Sequence, residues 1–270
     1  MITRIVRLML RRPRLRRFFW RRWYQFLARR QPQNDWVFMN YGYVILDGGQ
    51  TPPRLDGEHE AQRNWIQLYH HVASGADLSG KRLLEVGSGR GGGAAYVHRY
   101  LGPAETVGID LAPAAVAFSN RVHGGDGLSY RQGDAENLPL AEASFDVVLN
   151  VESSHCYGSM PRFLSEVRRV LRPGGYFCYA DLRRKADLAG LRADLAGNGL
   201  TLVREENIAP NVLAALKQDN LLKREYIRAH APRWLWDPLN TFAGVEGSAI
   251  WRGLDEGTTI YHCAVLQKPA

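Results

Sequence analysis

The sequence predicts an α/β protein: a doubly wound parallel sheet with helices on both faces, a helical insertion before the last strand and a separate helical arm in front. Three observations predict it. A glycine-rich turn joins an apolar strand to a helix at residues 82–93, RLLEVGSGRGGG. Short apolar strands then alternate with helical patterns as far as residue 204, the arrangement that builds a parallel sheet. A helix-rich, aromatic stretch at 208–256 breaks the alternation, and one more apolar run, 258–267, follows it.

Residues 1–33 form the arm. Its first 30 residues hold eleven arginines and no acid; the 35 Lys and Arg of the whole chain less these eleven leave 24, against 27 Asp and Glu. The formal charge of +8 therefore resides in the arm, and the rest of the chain is slightly acidic. Apolar residues at Ile2, Ile5, Val6 and Met9, and again at Leu15, Phe18, Phe19, Trp23 and Phe26, recur at helical spacing on either side of Pro13. Two short basic amphipathic helices follow from that pattern. Their aromatic face needs cover. A second copy of the chain, giving a homo-oligomer, is the first expectation, and a membrane surface the second. Arginines interleaved with aromatics also suit nucleic acid, but the acidic body and the lack of any RNA-binding module argue against that partner.

Residues 34–80 approach the core. The segment NDWVFMNYGYVILDGG is rich in aromatics and turns, and a helix at 57–74 follows, with Trp65, Leu68, Tyr69 and Val72 on one side. The core, 81–207, reads as strands 82–86, 105–109, 128–132, 145–150, 176–181 and 200–204, with helices 91–101, 113–123, 160–171 and 185–197 between them. Helix 160–171 has the clearest face, in Phe163, Leu164, Val167, Val170 and Leu171, and the run Arg172-Pro173-Gly174-Gly175 ends it. Residues 208–257, with Tyr226, Trp234, Trp236, Phe242 and Trp251, are placed to act as a lid, and 258–270 supply the final strand.

Composition narrows the class. Cys156, Cys178 and Cys263 are odd in number and lack metal-ligand spacing, as expected of a reducing compartment. No run reaches the ~18 apolar residues of a membrane span. The start also lacks the apolar stretch of a secretory signal, so a cytoplasmic location is expected.

In such a sheet, ligands sit at the carboxyl ends of the strands. There, glycines at 87, 89 and 91 let the backbone turn sharply and let a ligand approach the main chain. Three acids share those ends: Glu85 before the turn, Asp110 after the second strand and Asp134 after the third. Asp110 falls 23 residues beyond Gly87, close to the spacing of an acid that binds ribose hydroxyls. NAD would also use such an acid. Glu85 and Asp134-Ala135-Glu136, however, make the mouth negative, and a pyrophosphate is repelled there at short range. A cationic nucleoside without phosphate, S-adenosylmethionine, fits better. No acidic pair has metal-ligand geometry, so no magnesium is expected.

These segments resemble the class I methyltransferases: LLEVGSGRGGG their glycine motif, GIDLAP the ribose-binding acid, GDAENLPL the adenine-side loop, FDVVLNVESSHC the fourth strand and RVLRPGGYF the turn into the fifth. The resemblance runs from about Lys81 to Asp181 and implies that family's Rossmann-like seven-stranded sheet. With MNYGY, YHHVA, GGGAAYV and LNVESSHCY, the chain is similar to the phthiotriolone and phenolphthiotriolone dimycocerosate methyltransferases over roughly residues 35 to 268. It is also similar to macrolide O-methyltransferases and to the C-methyltransferase of teleocidin biosynthesis. The arm lies outside the resemblance.

What the resemblance implies, residue by residue, agrees with the local chemistry. Gly87, Gly89 and Gly91 shape the turn against the methionine part of S-adenosylmethionine, with Glu85 near its ammonium. Asp110 binds the ribose hydroxyls, Leu111 packs on adenine, Asp134 and the Ala135 amide face the adenine edge, and Asn150 lies close to the methyl group. His155, on the loop after the fourth strand, is the expected general base, since an imidazole can take a hydroxyl proton near neutral pH. Tyr41 and Tyr43 are candidates to close over cofactor and substrate. The expected reaction is methyl transfer to a hydroxyl of a lipophilic secondary metabolite or lipid. The alternative is C-methylation of a prenyl or terpenoid double bond, whose carbocation would draw on Trp234, Trp236, Tyr41 and Tyr43.

Overall fold

In the computed structural model, residues 37–46 and 51–270 are described. The arm, and with it the two amphipathic helices and their aromatic face, lies outside the described residues. A short 3-10 turn, Gly57–Gln62, leads into α1 (Arg63–Ala73). Then follow β1 (Arg82–Val86), α2 (Gly92–Leu101), β2 (Glu105–Asp110), α3 (Pro113–His123), β3 (Leu128–Gln132), β4 (Phe145–Val151), α4 (Met160–Val170), β5 (Leu171–Arg184), α5 (Leu188–Gly197) and β6 (Thr201–Asn207). The insertion contributes α6 (Ala209–Gln218), α7 (Asn220–His230), α8 (Trp236–Phe242) and α9 (Ala249–Asp255), and β7 (Thr259–Gln267) completes the sheet.

The strands lie in the order β3-β2-β1-β4-β5-β7-β6. From β3 across to β5 all neighbours are parallel, and the buried runs of β1 and β4 suit strands covered on both faces. The sequence expectation of a parallel sheet is corrected at β7, which runs antiparallel to both β5 and β6. The reason lies in how the chain returns. It leaves β6 at Asn207, crosses the insertion, and comes back at the same end, where the Ile208 amide donates to the Tyr261 carbonyl at 2.9 Å. A strand entering from the end at which its neighbour finished must run the other way.

One boundary also moved. Leu171-Arg172-Pro173-Gly174-Gly175, read as the end of a helix, belongs to β5, where the register jumps from Phe145↔Leu171 to Val147↔Tyr176. Gly174, at φ +77°, takes up the irregularity.

Two cores sandwich the sheet. On one face α1, α2 and α6 pack Ile66, Leu68, Val72, Val97 and Val212 against Leu83, Leu149 and Val265. On the other, α4 and α5 bring Phe163, Leu164, Val167 and Leu191 onto Leu84, Val148 and Phe177. Ser159 caps α4 by accepting from the Arg162 amide, and Pro161 stands in its first turn. No helix among the described residues is long and apolar enough to cross a membrane.

Phe163 is fully buried between Tyr157 and Phe177, with ring centroids 4.9 and 5.8 Å away. Phe163→Ala should therefore lower unfolding free energy by about 3–5 kcal/mol in urea titrations; a loss below about 1 kcal/mol would show that the face tolerates the cavity.

Candidate active site

The order of the strands reverses between β1 and β4, and a cavity opens at their carboxyl ends, as such a switch point requires. Its floor is the turn after β1. Gly87 and Gly91 sit at φ +80° and +85°, in the left-handed region that a Cβ disfavours. A Cβ on Gly87 would also run into Ser153 and the Tyr157 hydroxyl, and one on Gly91 into Ser119 and Tyr130. The amides of Gly87 and Ser88 both donate to the Ile109 carbonyl, at 2.7 and 3.0 Å, which ties the turn to the end of β2.

Asp110 stands there. Its Oδ2 accepts from the Gly89 amide at 2.9 Å and its Oδ1 from the Ala112 amide at 2.8 Å. Burial raises its pKa to about 6, against these amides, which favour the ionised form. Leu111, Ala112, Ile109 and Ala135 give the cavity an apolar slot beside it, and Asp134 lines the next edge, its Oδ1 accepting from the Glu136 amide. Val37, Met39 and Asn40 from the approach segment close the near side. Among the described residues four acids, Asp110, Asp134, Glu136 and Glu152, line the cavity, with one cation, Arg90, which lies 3.6 Å over the Phe118 ring. Those walls fit a cationic nucleoside, with Asp110 for its hydroxyls and the slot for its base.

Two expected cofactor residues lie behind the wall. Glu85 is fully buried; the Tyr69 hydroxyl donates to its Oε1 at 2.7 Å, and it is Tyr69 that lines the cavity. Burial raises Glu85 to about 7 despite the hydrogen bonds from Tyr69 and the Ala94 amide. Asn150, also fully buried, donates from Nδ2 to the Val86 carbonyl, Ser153 Oγ and the Tyr157 hydroxyl, within 2.8–3.0 Å. It braces the loop after β4 against the glycine turn.

His155 lies on that loop in a 3-10 turn, Ser154–Cys156. Its backbone N–H donates to Asp181 Oδ2 and its Nδ1 lies 2.8 Å from Asp181 Oδ1. Asp181, fully buried in β5, is held well below the usual carboxylate range: burial alone would raise it, but Arg183, His155 and the Ser154 hydroxyl outweigh that. Burial alone would lower His155, yet Cys156 and Asp181 raise it well above an ordinary imidazole. With Nδ1 toward a carboxylate, that nitrogen carries the proton and the neutral ring has its lone pair on Nε2. His155 itself does not line the cavity, whereas Glu152, Ser153, Cys156 and Tyr157 around it do.

Tyr41 and Tyr43 are buried away from the cavity lining. The Tyr41 amide donates to Glu152 Oε2 at 2.9 Å, and the Tyr43 ring stacks on His71 at 4.5 Å. No residue of 208–257 lines the cavity either. The insertion packs on the approach segment, where Asn211 Nδ2 donates to the Val44 carbonyl at 2.9 Å and Asn64 Nδ2 to Asp219 Oδ1 at 2.9 Å. Sequence reasoning missed Tyr69, Glu152 and Asp181. Asp181 ends the strand read at 176–181 and Glu152 follows the strand read at 145–150 at the same offset as Asp134 follows its own, so the strand-end rule would have found both; Tyr69 carried no such signal.

The comparisons with known proteins agree with this geometry. Residues 84–179 match the family model of the methyltransferase domain. The chain is 44% identical over 232 residues to the probable phthiotriol/phenolphthiotriol dimycocerosates methyltransferase 2 of Mycobacterium ulcerans (strain Agy99), covering 85% of this chain and 88% of that protein. It is 39% identical over 250 residues to the fatty-acid O-methyltransferase of Mycolicibacterium smegmatis, covering 92% and 89%. Among solved structures, geranyl diphosphate C-methyltransferase from Streptomyces coelicolor A3(2) superposes with a TM-score of 0.62 at 18% identity, over 91% of this chain and 98% of that one.

Asp110→Asn keeps the shape of the turn and removes the charge. It should weaken binding of S-adenosylhomocysteine by about 10- to 100-fold in calorimetric titration, the worth of a hydrogen bond to a charged group; unchanged affinity would remove Asp110 from the cofactor site. With these walls and these relatives, the chain belongs to the family of phthiotriol and phenolphthiotriol dimycocerosates methyltransferases, and it is an S-adenosylmethionine-dependent methyltransferase.

Proposed function

We propose that the chain methylates a hydroxyl oxygen of a lipophilic lipid or secondary metabolite, with His155 as general base. The observation that carries this reading is the His155–Asp181 pair beside the cavity, a proton-accepting imidazole oriented by a buried carboxylate. S-adenosylmethionine, when bound, supplies a methyl group on a sulfonium already activated for displacement. The chain's own task is then to hold the hydroxyl in line, exclude water and receive one proton. Positioning supplies most of the acceleration, and a base adds roughly 10²- to 10⁴-fold. The names of the relatives support the substrate class, since they include a lipid triol and a fatty acid.

The C-methylation reading loses the aromatic faces it was to draw on. Trp234 is 76% exposed, the Trp236 indole donates to the Ala231 carbonyl, and neither these nor Tyr41 and Tyr43 line the cavity. For the arm we retain self-association as the proposal, with attachment to a membrane surface as its alternative; a mass in solution that does not change when residues 1–30 are removed would rule self-association out.

As a base, His155 must be neutral, and its pKa is raised, so the rate should climb with pH through a region above the ordinary imidazole value of about 6.5 and plateau beyond it. Asp181→Asn removes one of the two groups, after Cys156, that raise it and should move that limb to lower pH. His155→Gln should cost about 10²- to 10⁴-fold in kcat with S-adenosylhomocysteine affinity unchanged. Product NMR on the native chain settles the atom methylated; full turnover by His155→Gln would end its assignment as base.

A further inference from the structure

One carboxylate reaches the cavity at the end of β4 itself. Glu152 follows Val151 directly, lines the cavity, and sits at φ +51°, a left-handed conformation that side-chain-bearing residues rarely adopt. Its amide donates to the Ala180 carbonyl at 2.8 Å, which holds that turn on β5. The same backbone twist brings its carboxylate between three elements. Oε2 accepts from the Tyr41 amide at 2.9 Å and from the Tyr261 hydroxyl at 2.7 Å. Oε1 takes no hydrogen bond among the described residues, so one oxygen is anchored and the other is offered to the cavity.

The other lining acids lie on the nucleoside side of the cavity: Asp110, the acid for the nucleoside hydroxyls, accepts from the amides of Gly89 and Ala112, Asp134 Oδ1 accepts from the Glu136 amide, and Glu136 Oε1 accepts from the Gly158 amide at 2.7 Å. His155 lies off the lining, three residues along the same loop.

We propose that Glu152 Oε1 holds the acceptor hydroxyl and takes its proton during methyl transfer, with His155 as the further station of that proton. In this step the hydroxyl O–H bond breaks onto Glu152, the oxygen gains the methyl carbon, and the carbon–sulfur bond breaks, its electron pair staying on sulfur. The inference rests on the hydroxyl reading above and moves the first contact from the imidazole to the carboxylate. Burial raises Glu152 to about 7, countered by the hydrogen bonds from Tyr261 and Tyr41 and by His155, so a proton exchanges there near neutral pH.

The test uses the full chain with S-adenosylmethionine and a long-chain 1,2-diol. Glu152→Gln keeps an oxygen for Tyr41 and Tyr261 but accepts no proton. It should lower kcat by about 100-fold or more with little change in KM or in S-adenosylhomocysteine affinity, and it should remove the step near 7 from the acid limb while leaving the higher step that belongs to His155. Tyr261→Phe removes a donor that favours the ionised carboxylate; it should move the Glu152 step of the acid limb to higher pH, and it serves as well if Glu152→Gln fails to fold. An O-methyl product made by Glu152→Gln at the native rate, or an unmoved limb in Tyr261→Phe, overturns the proposal alone. A C-methyl product from the native chain, or no methylation of the diol, overturns the hydroxyl reading and the proposal with it.

Discussion

The Ile109 carbonyl, accepting the amides of Gly87 and Ser88 together, is the contact on which the site depends. It locks the end of β1 to the end of β2 at the point where the chain turns left-handed. The Gly89 amide then points at Asp110, and the Val86 carbonyl is left facing the loop after β4, where Asn150 and Ser153 take it up. A single backbone turn therefore positions both walls of the cavity, the one that carries Asp110 and the one that follows β4. Few side chains are needed to register one against the other, because both lean on main chain that has one conformation.

Around that turn the protein divides its acids by surroundings. Glu85, Asp110 and Glu152 are buried among hydrogen-bond donors, and burial raises all three, in Glu152 against the pull of His155. Asp181 is as deeply buried yet has Arg183 beside it, 3.0 Å from Oδ2, and remains charged. Groups of one chemical type are thus pushed apart in proton affinity, as acid and base roles in one pocket require. Asp181 is the fixed charge, and the raised carboxylates are the ones able to exchange protons near neutral pH.

Much of this was legible in the sequence where local pattern and global fold coincide. The glycine turn, the strand-end acid Asp110, Asp134 and the apolar face of α4 are each declared within a dozen residues. What was not legible depends on side chains meeting across the sheet. Tyr69 reads as one more apolar position on α1, and only packing shows its hydroxyl on Glu85 and its ring in the cavity wall. Tyr41 and Tyr43 have the composition of a closing segment, yet they are buried in the core with residues of α1 and α6. The positive φ of Glu152 is invisible for the same reason: a strained backbone is imposed by its surroundings, and nothing in VESSHC announces it.

The place of β7 has a consequence for how the chain assembles. The strand between β5 and β6 is formed by residues 259–267, and Tyr176 pairs with Gln267 across a long stretch of chain. Until that stretch has been made and folded back, β5 is an edge strand whose apolar Phe177 and Cys178 backbone has no partner on that side, and β6 has no sheet to join. Pairings so distant in sequence form late and slowly, and an exposed apolar edge invites pairing with other chains in the meantime. Assembly of the nucleoside-binding half, complete by β4, can therefore run ahead of the half that carries Tyr261, leaving a cofactor pocket in place before the carboxylate at its end has received its anchor.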